Sequence, residues 1–419
     1  MSRTLICAIQ IGTSRICAAA AWHDGKGNYE IVAMETEQAL GCIRKGYVVD
    51  TEATATHIKS LVQKLSNRVK SNDCRGIDAA YIGINGISVH NMPHHPSITL
   101  SDGLSVNNEH LALLRQQSLA YNGEDQDIIG LETLGYTLDD IDCLNPVGRT
   151  GYQLTAHFQL IVCQHRLCAG VRAAMEKAGI RLSGIIATAQ TVAHILSPDE
   201  KQRGCCLIDI GHSLTTVSVY ADGALQHLAT IPLGGNAVTQ DIAKANDIKS
   251  EEAEKRKIEM EELDIVSRCR YEEIAANISH QIELSGYKGL LAAGCIMTGG
   301  AALQRGLTSL IGEQIGMKRI VARGYSGICF GISDRKPQFS SLTTMISQCT
   351  ADCECKPEVK PVAPVAKPEP EPVIETKPAE TPDTQKKVEK QVKNYPINRD
   401  ERRSSIGTFL RDLFSGIDE

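Results

Sequence analysis

Residues 5–20 and 206–220 of this 419-residue chain repeat one plan: an apolar strand, a glycine turn rich in Ser and Thr, and a second strand. The repeat points to two related halves, each opening on a hairpin. In the first turn Gly12 lets the backbone reverse tightly, while Thr13 and Ser14 offer hydroxyls and amides to an anion, with Arg15 next in line. The second turn carries Gly211, His212, Ser213 and Thr215 after Asp209. Either turn alone reads as an ordinary hairpin. A third motif follows at 295–303, where an apolar strand runs into Gly299 and Gly300 and then a helix. Such a turn lets a flat base and ribose approach the backbone closely. Order and spacing make the three together far more specific than any one.

Hydrophobic pattern fills in the rest. Strands are expected at 4–11, 15–21, 79–84, 152–163, 204–210, 214–220 and 294–298. Helices are expected at 51–69, 109–119, 165–177, 238–244, 251–262, 270–287 and 303–312. Strands alternating with helices define an α/β class. The formal charge of -6 gives no basic field for nucleic acid. No apolar run is long enough for a membrane-spanning helix. The first residues read as a strand and not as a signal peptide. The 15 cysteines follow no repeating frame, and many sit in apolar runs, as expected of reduced thiols in a cytoplasmic protein.

Composition changes near Gln348. Nine of the 15 prolines fall within 357–396, among Lys and Glu in nearly equal numbers. This stretch has too little apolar material to bury a core and reads as an extended tether. Beyond it Ile406, Phe409, Leu410, Leu413, Phe414 and Ile417 fall on one face of a helix. Twelve residues span about 18 Å, well short of a bilayer of about 30 Å. Such a helix can lie flat in a membrane surface, with Arg402 and Arg403 meeting headgroups. One helix binds modestly, and an array on a filament binds through avidity.

Further segments carry a family resemblance. The stretch 41–50 (GCIRKGYVVD), the stretch 223–243 (GALQHLATIPLGGNAVTQDIA), the helix segment 253–257 (AEKRK) and the stretch 291–302 (LAAGCIMTGGAA) all resemble motifs of the FtsA family. That family lies within the actin/Hsp70/sugar-kinase superfamily. The resemblance implies an actin-like (ribonuclease-H-like) two-lobed fold with ATP in the cleft. It implies a first lobe at 1–83 and 164–195, and an FtsA-type small subdomain at 84–163. A second lobe follows at 196–348, with its own small subdomain at 228–290, then a linker at 349–400 and an amphipathic membrane-targeting helix at 401–419. By position it implies nucleotide contacts from Gly12, Thr13, Ser14, Arg15, Asp209, Gly211, His212, Ser213, Thr215, Gly234, Glu254, Lys257, Gly299 and Gly300. Arg268 and Arg270 are candidates for receiving the acidic C-terminal peptide of FtsZ. The resemblance further implies self-assembly into filaments, downstream divisome partners, and a place on the cytoplasmic face of the inner membrane at the division septum.

The departures from the family pattern bear on the chemistry. Gln10 stands where an acid usually helps hold Mg2+, and Thr216 stands where the second motif usually ends in Asp. Asp209 is left as the one carboxylate of the two hairpins, and an amide is a poor magnesium ligand. The expectation is ATP binding with at most weak hydrolysis, since phosphoryl transfer depends on positioned metal. A small-molecule kinase fits the site less well and has no use for the terminal helix. A pilus-assembly scaffold resembling PilM shares the lobes, but such proteins usually lack the tail. No metal site is expected of His90, His94 and His95. Cys349, Cys353 and Cys355 read as exposed thiols at the start of the tether, lacking a fourth zinc ligand.

Overall fold

The apolar runs of the sequence become the inner strands of two sheets that share a plan. The computed structural model describes residues 3–39, 41–70, 74–101, 104–121, 123, 125–325, 329–330 and 337–355. In the first lobe, strands Thr4–Ile11 and Arg15–His23 form an antiparallel hairpin with Ile11 opposite Ile16. Strand Ala79–Ile84 joins the hairpin in parallel, and Arg181–Ala187 extends the sheet beyond it. Tyr29–Gln38 and Cys329–Phe330 complete the six-stranded sheet on the other side. Both faces are covered, so residues 5–9 are buried without alternation, as a helix-sandwiched sheet requires.

Helix Thr51–Val69 starts where Asp50 accepts a hydrogen bond from the Ala53 amide at 2.9 Å, an N-cap. It buries Ile58, Leu61 and Leu65 in the first-lobe core. Helix His165–Ala178 ends at Gly179, whose φ of 69° suits a left-handed C-cap. Between these helices the chain makes a separate antiparallel sheet from Ile141–Cys143, Gln126–Leu138, Gln153–Gln164 and His90–His94, with Ser97–Thr99 paired to Gln153–Gln164. Together with helix Asn108–Leu119 it encloses its own small core of Leu114, Leu154, Phe158 and Leu160.

The second lobe restates the first. Strands Cys205–Ile210 and Thr215–Ala221 form an antiparallel hairpin with Ile210 opposite Thr215, and Gly294–Thr298 joins it in parallel. Ala224–Ile231 and Ile320–Ala322 are the edges of this five-stranded sheet. Helices Gly235–Asn246, Ile265–Leu284 and Leu307–Ile315 supply Val238, Ile278 and Ile311 to its core.

Two expectations are corrected at the C-terminal side. The second lobe does not run through 348, and the tether does not begin at 349. Helix Ser340–Ile346 packs in the first-lobe core with Leu342, Met345 and Ile346 fully buried. The chain beyond it stays bound: the Cys353 amide donates to the Leu5 carbonyl at 2.8 Å, and the Cys355 amide to the Gly76 carbonyl at 2.9 Å. Cys349 and Cys353 are therefore buried and not exposed, and Cys355 is half-buried. Apolar contact and backbone pairing at the starts of inner strands Thr4–Ile11 and Ala79–Ile84 hold this strap against a local composition poor in hydrophobic residues. The helix expected at 303–312 also starts later: Gly300–Leu303 forms a single 3-10 turn, and the helix begins at Leu307.

Candidate functional site

Each hairpin delivers its turn to the same cleft. In the first, the Gly12 amide donates to the Arg15 carbonyl at 3.0 Å; in the second, the Gly211 amide donates to the Leu214 carbonyl at 2.9 Å. A Cβ on Gly12 would stand 2.8 Å from the Arg15 carbonyl oxygen, so the tight turn admits only glycine. The turns meet where the Ser213 hydroxyl donates to Thr13 Oγ1 at 2.7 Å. Deeper in, Asn85 Nδ2 donates to Thr216 Oγ1 at 2.7 Å and ties the two lobes again.

The third wall comes from the glycine pair. Gly299 has φ +85°, and a Cβ there would lie 2.3 Å from Asp209 Oδ1. Both the left-handed backbone and the approach of Asp209 therefore demand glycine. Asp209 sits partly buried on the cleft floor, where the Ser341 hydroxyl donates to it at 3.4 Å. Burial pushes its carboxyl up to about 6, with the Ser341 bond only partly offsetting. Arg15 lies over the Phe339 ring, 5.1 Å from its centroid, and donates to the Gln338 carbonyl at 3.1 Å. Among the described residues no carboxylate lies within ion-pair distance of it, so its charge is available to an anion in the cleft.

The fourth side is a polar cluster on helix Ser250–Glu259. Lys257 is buried, and its Nζ donates to the Gly235 carbonyl at 3.0 Å, Thr239 Oγ1 at 2.8 Å and Glu254 Oε2 at 2.7 Å. Desolvation raises the Glu254 carboxyl, but the Lys257 and Thr239 hydrogen bonds outweigh it and hold the group below its usual range. Burial keeps the His212 imidazole below its usual range, so it favours the neutral form.

A cavity of about 390 Å³ opens between these walls. It brings together Gly12, Thr13, Ser14, Arg15, Asp209, Gly211, His212, Ser213, Glu254, Lys257, Gly299 and Gly300. Two residues of the expected set stand behind the wall instead. Thr215 is buried and donates to the Leu233 carbonyl at 2.8 Å. Gly234 packs under the second turn, where a Cβ would come within 2.7 Å of the Gly211 and His212 carbonyl oxygens. The neighbouring amides of Gly235 and Asn236 donate to those same two oxygens. Both residues shape the second turn rather than face the cavity.

The cavity also takes in Leu303, the last residue of the third motif, and Asn85, Ile258, Tyr271, Gln304 and Ser341, which motif reading did not single out. Of these five, Ile258 alone carried a sequence signal, as the residue after Lys257 on the same short helix. Elsewhere, Arg270 is engaged by Asp241 at 2.6 Å and by Glu273, which leaves it little free charge for a partner. Arg268 pairs with Glu272 at 3.0 Å and is over half exposed. The residues assigned to membrane contact, Ile406, Phe409, Leu410, Leu413, Phe414, Ile417, Arg402 and Arg403, lie outside the described residues, as does most of the tether.

Two sheets of one plan, each presenting a glycine turn to a shared cleft, define an actin-like two-lobed α/β protein. Solved structures agree on the fold. The PilM–PilN type IV pilus biogenesis complex matches with a TM-score of 0.60 at 15% identity, covering 82% of this chain and 98% of that one. The ethanolamine utilization protein EutJ from Carboxydothermus hydrogenoformans matches with a TM-score of 0.50 at 15% identity, covering 83% and 90%. Sequence comparison is more particular. The family model described as cell division protein FtsA matches residues 206–344. Cell division protein FtsA of Pseudomonas aeruginosa is 26% identical over 375 residues, 81% of this chain and 88% of that protein. The Escherichia coli K12 protein of the same name is 24% identical over 345 residues, 73% and 81%. The chain is thus FtsA-like along most of its length, and the resemblance carried by its motifs holds.

Proposed function

We propose that this chain is a nucleotide-binding scaffold of cell division that tethers FtsZ filaments to the cytoplasmic membrane. The observation that carries the reading is the convergence of both glycine turns, the Gly299–Gly300 wall and the Glu254–Lys257 cluster on one cavity, in a chain similar to FtsA. The chemistry suits a nucleoside triphosphate. Amides and hydroxyls of the two turns receive phosphate oxygens, Arg15 supplies positive charge, and Gly299 and Gly300 admit a flat base against the backbone. The half-exposed or more exposed Ile258 and Leu303 give that base apolar surface to cover.

The fold class implies magnesium with the nucleotide, and this chain's donor set does not build a site for it. Gln10 is neutral, Thr216 is bound to Asn85, Glu254 is neutralised by Lys257, and Asp209 stands alone in a desolvated position. Magnesium favours carboxylate and water oxygens in an octahedron, and one such carboxylate is a weak anchor. The scaffold reading follows: phosphate is bound, and its transfer is not assisted. Filament formation, the FtsZ peptide and later divisome proteins as partners, and attachment by the helix at 401–419 belong to the same reading.

Co-sedimentation with anionic liposomes tests it. The full chain with ATP is expected to pellet and to carry FtsZ along, and a chain ending at Asp400 is expected to do neither. If both forms stay in the supernatant, the tether is not a membrane anchor, and the pilus-scaffold reading takes precedence.

A further inference from the structure

The stretch 337–355 begins in the wall of the cleft and ends where the Pro-rich composition sets in. Its head touches both lobes. The Pro337 carbonyl accepts from the Gly299 amide at 3.4 Å and from the Thr298 hydroxyl at 3.2 Å. The Gln338 carbonyl accepts from Arg15, whose guanidinium lies over the Phe339 ring. The Ser341 hydroxyl donates to Asp209, and both Gln338 and Ser341 line the cavity. Its middle is helix Ser340–Ile346, sunk in the first-lobe core. Met345 lies so close to Gly83 that a Cβ there would collide with its sulfur, and Thr188 of the cavity wall crowds the same glycine. A short helix packed this tightly shifts as a unit.

The foot of the stretch is the strap. The Tyr81 hydroxyl accepts from the Ala351 amide at 2.8 Å and from the Thr350 amide at 3.3 Å. The Cys353 amide donates to the Leu5 carbonyl, the Asp78 amide to the Cys353 carbonyl, and the Cys355 amide to the Gly76 carbonyl. Leu5 opens strand Thr4–Ile11, and Gly12 follows its end, so head and foot stand at opposite ends of an eight-residue strand, about 26 Å long. In this structure Arg15 is held by the head of the stretch, and by no carboxylate among the described residues. A phosphate oxygen is a stronger, charge-assisted partner for a guanidinium than a carbonyl. Resting on the nucleotide reading above, we propose that residues 337–355 are a strut coupling the nucleotide cleft to the root of the tether, with Arg15 as the contact that switches. A bound triphosphate draws Arg15 off Gln338 and Phe339. The head of the strut loosens, and the packed helix passes the shift to the strap. Such coupling is reciprocal: a ligand that favours the loosened strap binds better once the strap is loosened by other means.

Hydrogen exchange of the full chain with and without ATP tests the strut. The amides of Ala351, Cys353 and Cys355 are expected to exchange about fivefold faster or more with ATP, while those of the turns at Gly12 and Gly211 exchange more slowly. Calorimetry tests the reverse direction. Tyr81 lies outside the cavity lining, and Tyr81→Phe removes the acceptor of two strap amides. That variant is expected to bind ATP about fivefold tighter than wild type. Strap exchange that is unchanged or slower with ATP, beside turns that gain protection, overturns the strut and leaves the nucleotide reading intact. So does a folded Tyr81→Phe that binds ATP at wild-type strength or weaker; where that variant fails to fold, wild-type exchange alone decides. Turns that gain no protection and wild-type protein that gives no heat of binding overturn the nucleotide reading itself, and the strut with it.

Discussion

The turn at Gly12 and the turn at Gly211 close with the same backbone hydrogen bond, yet their surroundings differ in kind. The first is light: Gln10 before it is neutral, Arg15 after it has no carboxylate partner among the described residues, and the turn's residues line the cavity. The second is buttressed from below by Gly234, Gly235 and Asn236, and flanked by Asp209, His212, Glu254 and Lys257. The comparison teaches a division of labour. Positive charge for an anion comes from the first lobe, whereas the second lobe supplies the rigid frame and the polar groups that fix orientation. A sheet plan used twice has kept its geometry and given each copy separate chemistry.

The largest effect is expected from the buttress. Gly234 has extended backbone that any residue adopts, so the obstacle is space: a Cβ there meets two carbonyl oxygens at 2.7 Å. Gly234→Ala should cost about 3 kcal/mol in urea unfolding, whereas Gly25→Ala, on an open loop where a Cβ meets nothing within 4 Å but φ is +73°, should cost about 1 kcal/mol. Equal costs at the two sites would show that the second turn is not braced from beneath.

Next comes the clamp joining the crossover into the second lobe to its far edge. Arg323 donates to both carboxylate oxygens of Glu200 at 2.7 Å, and Glu200 also caps its own helix at Ser197. The Arg323 bond, the largest cause, takes the Glu200 carboxyl down to about 2. An acid whose folded value lies below its unfolded one stabilises fully above the unfolded value, about 4.3, and loses that contribution as pH falls toward 2. Glu200→Gln should cost about 2 kcal/mol at pH 7 and progressively less between pH 4 and pH 2. A cost independent of pH would remove the ion pair from the account.

Asp209 carries the opposite sign. Its folded value, about 6, lies above the unfolded one, so its charge destabilises the ligand-free fold above pH 6, and that penalty vanishes as pH falls toward 4. Asp209→Asn should therefore gain about 1 kcal/mol at pH 7.5 and nothing at pH 4, measured as unfolding free energy. A loss at pH 7.5 would mean the carboxylate is satisfied rather than desolvated. The smallest expected effect is Ser213→Ala, which removes the hydroxyl bridge to Thr13 for about 0.5–1 kcal/mol. It sharpens the comparison by showing how independent the two turns are. No change in stability would mean the bridge adds nothing to the other contacts between the lobes, Asn85–Thr216 and Ser341–Asp209 among them.

The sequence made the inner strands legible because nothing competes with a fully apolar run. Thr4–Ile11, Ala79–Ile84 and Gly294–Thr298 end where the pattern ends, as does helix Thr51–Val69 with Asp50 at its cap. Strand Tyr29–Gln38 escaped notice since it carries Glu30, Glu35 and Glu37, the last two bonded to helix Thr51–Val69, and only Tyr29, Ile31 and Ala33 are buried. Helix Ser340–Ile346 escaped for another reason. Its Ser and Thr look like loop residues, yet Thr344 is fully buried with its hydroxyl turned back to the Ser340 carbonyl of the same helix. The motif residues of the cleft were readable because turns need glycine at fixed places. Tyr271, Gln304 and Asn85 were not, since their part comes from where a distant helix or loop brings them, and no local spacing encodes that.

Gly300 offers the most direct test of the claim that the two turns enclose a nucleotide site. A Cβ there meets nothing within 4 Å, so Gly300→Leu adds bulk to the cleft without colliding with the fold. ATP titrated calorimetrically into wild-type protein and into Gly300→Leu is predicted to bind the first and not the second, with melting temperatures within a degree or two of each other. ATP binding of equal strength in both proteins would contradict the account, because the nucleotide would then sit somewhere other than between the turns.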